Sequence, residues 1–243
     1  MIKFIKDIIN FILPPRCNLC GKVLDEDKGL CDECISQIDF LNGAICYQCG
    51  EPLFESIENN HQKLLCGNCL KSKNKPVFRM IRSAYIYDDF SKKLILDFKF
   101  YDKPDLASFL AKMLYVAGKD IFEAGVDVII PIPLHYTRLI KRRYNQSALL
   151  AKELGRLTNI KVDYNSLIKR KITKPQVDCD GNERLINVKD AFVVKNIENI
   201  QGKKILLVDD VLTTGSTLKE CAKALKTARI KSVDAVTVAR SIH

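Results

Sequence analysis

The stretch Lys204-Ile-Leu-Leu-Val-Asp209-Asp210-Val-Leu-Thr213-Thr214-Gly215-Ser216-Thr217 carries most of the information in this chain of 243 residues. Its apolar run predicts a buried strand over Lys204 to Val208, which delivers two adjacent carboxylates to its carboxyl end. A loop of small hydroxyl residues and glycine then opens a helix predicted over Ser216 to Arg229, with Leu218, Cys221, Ala222 and Leu225 at helical spacing. Loop N–H groups, hydroxyls and the positive end of a helix suit a 5′-phosphate, and neighbouring carboxylates suit ribose hydroxyls. An ordinary capped helix explains Thr214 or Ser216 alone. It leaves the paired acids and three threonines without a reason, and crevices at strand carboxyl ends are where open α/β sheets bind ligands. Cys221, on the apolar stripe, reads as a core residue.

Outward from this stretch, apolar-periodic segments alternate with short breaks. Strands are predicted at Ser83 to Tyr87, Val126 to Ile132 and Val233 to Val238, and helices at Ser91 to Phe100, Asp105 to Gly118 and Gln146 to Leu157. The pattern is that of an α/β domain with a parallel sheet. No apolar run reaches the ~18 residues that would span a bilayer. Met1 to Leu13 places Phe4, Ile5, Ile8, Ile9 and Ile12 on one helical face and ends at Pro14-Pro15. It mixes Lys3, Lys6 and Asp7 with its apolar residues and lacks a small-residue cleavage site, so it reads as a packing helix and not a signal peptide. A reducing, cytoplasmic location is therefore expected, where paired cysteines point to metal in preference to disulfides.

Eight of the ten cysteines precede residue 70, as Cys17/Cys20, Cys31/Cys34, Cys46/Cys49 and Cys66/Cys69. The stretch Cys17-Asn-Leu-Cys20-Gly21-Lys-Val-Leu24 returns as Cys46-Tyr-Gln-Cys49-Gly50-Glu-Pro-Leu53. Each unit is a knuckle in which two thiolates grip one ion from a tight turn, and the glycine after the second cysteine supplies a positive φ that turns N–H groups toward sulfur. Two closed tetrahedral sites of four thiolates each follow, zinc being the leading ion. The simplest pairing is sequential, with an interleaved pairing of first with third and second with fourth also open. His61 lies between the third and fourth pairs as a substitute ligand or a surface histidine. Cys179, in a polar stretch, reads as incidental.

Val208 to Thr217 resembles the phosphoribosyl pyrophosphate (PRPP) signature of type I phosphoribosyltransferases. The rest of the chain resembles one branch of that group, the ComF-like competence proteins, which also carry an N-terminal cysteine-rich zinc ribbon. Matching pieces are Phe98-Lys99-Phe-Tyr101, Pro131-Ile-Pro-Leu-His135, Arg142-Arg143-Tyr144-Asn145-Gln146 and Thr173-Lys-Pro-Gln176, then Arg184, Asn187 and Ala191-Phe192. Arg143 stands where the family commonly has glycine.

The resemblance implies a type I phosphoribosyltransferase-like parallel sheet over residues 81–243, preceded by a helix and double zinc ribbon over residues 1–80. It implies that Asp209 and Asp210 hold the PRPP ribose, that Thr213, Thr214, Gly215, Ser216 and Thr217 hold its 5′-phosphate, and that Pro131 to His135 forms the pyrophosphate loop. Lys99 and Arg142 are candidates to contact that pyrophosphate, and Arg142 with the two aspartates forms the candidate catalytic set. Magnesium on the pyrophosphate and a cationic clamp would stabilise the departing charge in an oxocarbenium-like transition state. His135 reads either as an acid–base assistant or as an ordinary loop histidine.

Charge adds an independent observation. Residues 1–80 are neutral, with ten basic and ten acidic side chains, so the net charge of +10 belongs to the remainder. Between Arg138 and Lys174 eleven Lys/Arg face only Glu153 and Asp163, a net +9, which exceeds what one small anion needs. Tyr136, Tyr144 and Tyr164 lie among these cations as stacking or packing residues. Two classes stay open: an enzyme transferring phosphoribose from PRPP, and a non-catalytic module that binds single-stranded DNA through residues 138–174 with PRPP as regulator. The resemblance associates either with DNA uptake and with other competence proteins as partners.

Overall fold

The computed structural model describes residues 14–26, 29–53, 63–72, 75–100, 106–135, 139, 144–170 and 191–242. The predicted N-terminal helix, His61, Tyr136, Arg142, Arg143, Thr173 to Gln176, Cys179, Arg184 and Asn187 lie outside them.

Four parallel strands form the centre, β1 (Ile81–Ile86), β2 (Val128–Pro131), β5 (Lys204–Leu212) and β6 (Ser232–Arg240), in the order β1-β6-β5-β2. Between them in sequence, β3 (Leu167–Lys169) and β4 (Phe192–Val194) pair as a small antiparallel ribbon. The connections are helical, as parallel pairing requires. Helices α3 (Lys92–Phe100), α4 (Leu106–Ala117) and α5 (Lys119–Glu123) join β1 to β2, α6 (Gln146–Thr158) follows β2, and α7 (Ser216–Lys226) joins β5 to β6. The strands are apolar nearly throughout: in β5, Ile205, Leu206, Leu207 and Val208 are all fully buried. One core lies between the sheet and α3, α4 and α6, and another beneath α7, where Cys221 is a fully buried core residue as its spacing predicted.

The predicted strands occur, with one informative difference. Strand β5 does not stop at Val208 but runs through both acids, with Asp209 in register with Thr237 and Val211 with Ala239. Pairing to the long β6 supplies the ladder partners that carry the polar end of the strand onward. The short α5 and the β3–β4 pair carry no helical or alternating signal long enough to be read beforehand.

The cysteine-rich part contributes α1 (Asp32–Ile35) and α2 (Gly67–Lys71), N-capped by Cys31 and Cys66. It also completes the sheet. Leu41 N–H donates to Ala84 O, Ile86 N–H to Asp39 O and Ile81 N–H to Gln48 O, at 2.8–3.0 Å, so the β1 edge is covered by the ribbon. Leu19, Leu30 and Ile38 share the core of α3 and α4.

Candidate functional site

The carboxyl ends of β2 and β5 meet the end of α3 and the start of α6. Asp210 accepts a salt bridge from Lys99 Nζ at 2.9 Å, and Asp209 Oδ1 accepts from the Ser147 hydroxyl at 2.9 Å and from Asp210 N–H at 3.0 Å. The resemblance makes Lys99 a candidate contact for the PRPP pyrophosphate; the fold seats its ammonium on Asp210. Burial, together with the adjacent Asp210 charge, pushes Asp209 up to about 7, against the opposing pull of Lys99, Asp210 N–H and Ser147. Tyr85, fully buried on β1, has a hydroxyl with no hydrogen-bond partner among the described residues, and burial followed by the Asp210 charge drives its phenol far above the usual range.

Thr213 and Thr214 follow β5 half-buried, and Gly215, at φ 69°, is the N-cap of α7. Thr214 Oγ1 and Ser216 Oγ lie 3.0 Å apart, and Lys219 N–H closes the first helical turn on Gly215 O. This places the hydroxyls of Thr214 and Ser216 at the positive end of an 11-residue helix, just past the acidic pair in the chain. Pro131 ends β2 in register with Val208, and the Pro131–His135 segment runs from there with His135 buried. The structure thus brings together Lys99, Pro131, Asp209, Asp210 and the Thr213–Thr217 loop; Arg142 is outside the described residues. Tyr144 packs at 6.3 Å from the Phe98 ring and donates its hydroxyl to Phe98 O at 2.7 Å, so it is a packing residue, whereas Tyr164 is exposed. Sequence reading missed Ser147 and Tyr85. The Asn145-Gln146-Ser147 helix start was the one available signal for the former, and nothing local marked the latter.

In the cysteine-rich part the sulfurs fall into two groups, Cys17/Cys20/Cys31/Cys34 and Cys46/Cys49/Cys66/Cys69, with all ligand atoms of a group within 4.8 Å of one another. The sequential pairing is the one formed, and the interleaved one is not. Tetrahedral zinc with ~2.3 Å bonds needs sulfurs about 3.8 Å apart; Cys20–Cys31 and Cys49–Cys66 stand at 3.6 Å. The donor set fits zinc. The duplicated sequence gives duplicated hydrogen bonds: Cys17 N–H to Lys22 O and Gly21 N–H to Cys17 O in one knuckle, Cys46 N–H to Glu51 O and Gly50 N–H to Cys46 O in the other. Gly21 and Gly50 take the expected positive φ, 78° and 70°. Burial opposes ionisation of Cys17, yet the N–H groups of Cys20, Cys31 and Leu19 bring it down to about 6, and Cys46 is brought to about 7 in the same way.

Comparison with known proteins agrees with this division. Residues 8–70 match the double zinc ribbon domain and residues 114–243 the phosphoribosyl transferase domain. The chain belongs to the phosphoribosyl transferase domain family, in the form that carries an N-terminal double zinc ribbon. Its curated relatives include competence proteins and DNA utilization proteins. It is 33% identical over 233 residues to competence protein F of Haemophilus influenzae, covering 93% of this chain and 97% of that one. To DNA utilization protein YhgH of Escherichia coli K12 it is 32% identical over 218 residues, covering 88% and 91%. To competence protein ComFC of Bacillus subtilis it is 29% identical over 227 residues, covering 90% and 87%. Among solved structures it is similar to glutamine PRPP amidotransferase from B. subtilis, with a TM-score of 0.40 and 18% identity over 58% of this chain and 30% of that one. Among the described residues no helix is long and apolar enough to cross a membrane.

Proposed function

We propose that this protein binds PRPP with magnesium at the β5–α7 junction, acts on it as a phosphoribosyltransferase, and serves DNA uptake. One observation carries the reading: a carboxylate pair at the end of a buried parallel strand, followed at once by a hydroxyl-rich loop at a helix N-terminus. We divide the chain into residues 1–80, the ribbon part, and 81–243, the transferase domain, because the sheet begins at Ile81.

In this reading Asp209 and Asp210 accept hydrogen bonds from the ribose hydroxyls, and Thr213 to Thr217 enclose the 5′-phosphate. Lys99 exchanges Asp210 for the ligand's pyrophosphate, beside Pro131 to His135 and Arg142. Transfer breaks the bond from the anomeric carbon to pyrophosphate, which leaves with the electron pair, as an acceptor nucleophile bonds to that carbon. Magnesium, when bound on the pyrophosphate, neutralises charge on the leaving group. The names of the relatives, competence proteins and a DNA utilization protein, support the assignment to DNA uptake, with other competence proteins as partners; thiolate sets that hold metal suit the reducing, cytoplasmic location of this reading.

The test is calorimetry with PRPP and magnesium. Asp210→Asn keeps the size of the side chain and removes a full charge, so affinity should fall by on the order of 1.5–3 kcal/mol. Unchanged affinity would remove the site assignment. Turnover with bases and nucleic acids as acceptors then separates an enzyme from a binding module.

The net +9 of residues 138–174 favours a second role for the same protein, contact with single-stranded DNA. Lys152, Arg156, Lys161 and Arg170 are exposed, while Lys169 Nζ lies over the Phe192 ring, 5.4 Å from its centroid. If phosphate contacts dominate, log affinity should fall with log salt by about 0.7 per phosphate neutralised. Removing the charges of Lys169, Arg170 and Lys171 should flatten that slope. Binding indifferent to salt and to these substitutions would leave PRPP chemistry as the sole role.

A further inference from the structure

Four consecutive residues at the start of α6 each bond a part of the site. Tyr144 Oη donates to Phe98 O at 2.7 Å and Gln146 Nε2 to Lys99 O at 3.3 Å, which satisfies carbonyls at the end of α3 that the helix itself leaves open. Asn145 Nδ2 donates to Ile132 O, just past β2, at 3.0 Å, and its Oδ1 caps the helix by accepting from Ser147 N–H at 3.1 Å. Ser147 Oγ donates to Asp209 Oδ1 at 2.9 Å. Through this one turn the ends of α3, β2 and β5 are held in a single arrangement. Gln146 and Ser147 are buried, so the bonds form where water competes little.

We propose that Ser147 is a positioning residue: its hydroxyl orients the Asp209 carboxylate and favours its charged form, while Tyr144 fixes the end of α3 that presents Lys99 to Asp210. The proposal rests on the PRPP reading for its consequence in binding, and on the hydrogen bonds alone for its effect on Asp209. Among the described residues the charged and titratable groups around Asp209 are Asp210 on its own strand, Lys99 on α3 and Cys221 on α7, with Lys169 of β3 and Glu220 of α7 beyond the thiol. The Asp210 charge and burial place the Asp209 midpoint near neutrality, while burial keeps the Cys221 thiol neutral, so the loss of one donor has a visible effect there.

The sign follows from which form the donor prefers. A hydroxyl that donates to a carboxylate stabilises the ionised state, so Ser147→Ala should raise the midpoint at which Asp209 ionises by about 1 in pH. The measurement is a carboxyl-carbon NMR titration of the full, ligand-free chain, with Asp209→Asn to assign the resonance. Ser147→Thr, which keeps the hydroxyl, should restore the midpoint. PRPP affinity of the wild type should rise with pH through the Asp209 transition, and this rise should move with the midpoint in Ser147→Ala. Tyr144→Phe keeps the ring packing and removes one bond to α3; it should lower PRPP affinity several-fold and, by loosening Lys99, raise the Asp209 midpoint in the same direction as Ser147→Ala but by less. A midpoint unmoved by Ser147→Ala overturns the proposal even if PRPP binds. A moved midpoint in a chain that binds no PRPP upholds the positioning role and removes the PRPP reading.

Discussion

Chelation of the ions from the full chain is expected to loosen the transferase sheet as well as the ribbons. Elemental analysis of the untreated protein should find about two zinc per chain, one for each group of four cysteines. The apparent binding energy of structural zinc, ~10–16 kcal/mol in small fingers, matches or exceeds the whole stability of an ordinary domain. The second knuckle is bonded into the sheet: Ile81 N–H to Gln48 O, Arg82 Nη1 to Tyr47 O at 3.0 Å and Arg240 Nη1 to Cys49 O at 2.7 Å. Gly50 sits so close that a Cβ would stand 2.4 Å from Ile81 O. The first site is tied to α3 instead, through Lys93 Nζ to Leu19 O. Loss of these three hydrogen bonds between knuckle and sheet, at roughly 1 kcal/mol each, corresponds to about 100-fold faster amide exchange. Cys49→Ser should therefore deprotect Ile81 and its neighbours on β1 by that order, and Cys20→Ser should act mainly on the packing against α3. Full protection of β1 in the zinc-free chain would mean that the ribbon is a detachable appendage.

Asp234→Ala should be the most damaging single substitution away from the cysteines. Asp234 is fully buried in β6 and grips Arg79 through Nε at 3.0 and 3.1 Å and Nη2 at 2.5 Å, while Oδ1 also accepts from Met80 N–H at 2.9 Å. Arg79 keeps 28% of its side chain exposed, so removing Asp234 leaves a partly hydrated guanidinium and the Met80 N–H without their acceptor, a loss of about 2–4 kcal/mol. For a chain of this size the melting temperature should drop by on the order of 10 °C. Thermal unfolding of the variant checks this. A drop within about 2 °C, the shift that roughly 0.5–1 kcal/mol would give, would show that the pair contributes little beyond its packing.

What the sequence determined by itself was every feature whose cause is local. A Cys-x-x-Cys-Gly unit contains its own ligands, its turn and the residue that permits the turn, so both knuckles and the positive φ of Gly21 and Gly50 were legible within eight residues. The acid pair and the hydroxyl loop of β5–α7 were legible for the same reason, as were the four long helices and the core position of Cys221. Only the tertiary structure decided which cysteine pairs join, because both pairings place adequate ligands and the choice depends on where the short helices capped by Cys31 and Cys66 return. It also decided that β5 continues through Asp209 and Asp210, since that depends on the ladder offered by β6. The seating of Lys99 on Asp210, of Ser147 on Asp209 and of the ribbon on β1 joins residues far apart in the chain. Side chains of these types are ordinary surface choices in isolation, and they acquire a role only when the sheet brings the ends of its strands and helices to one place.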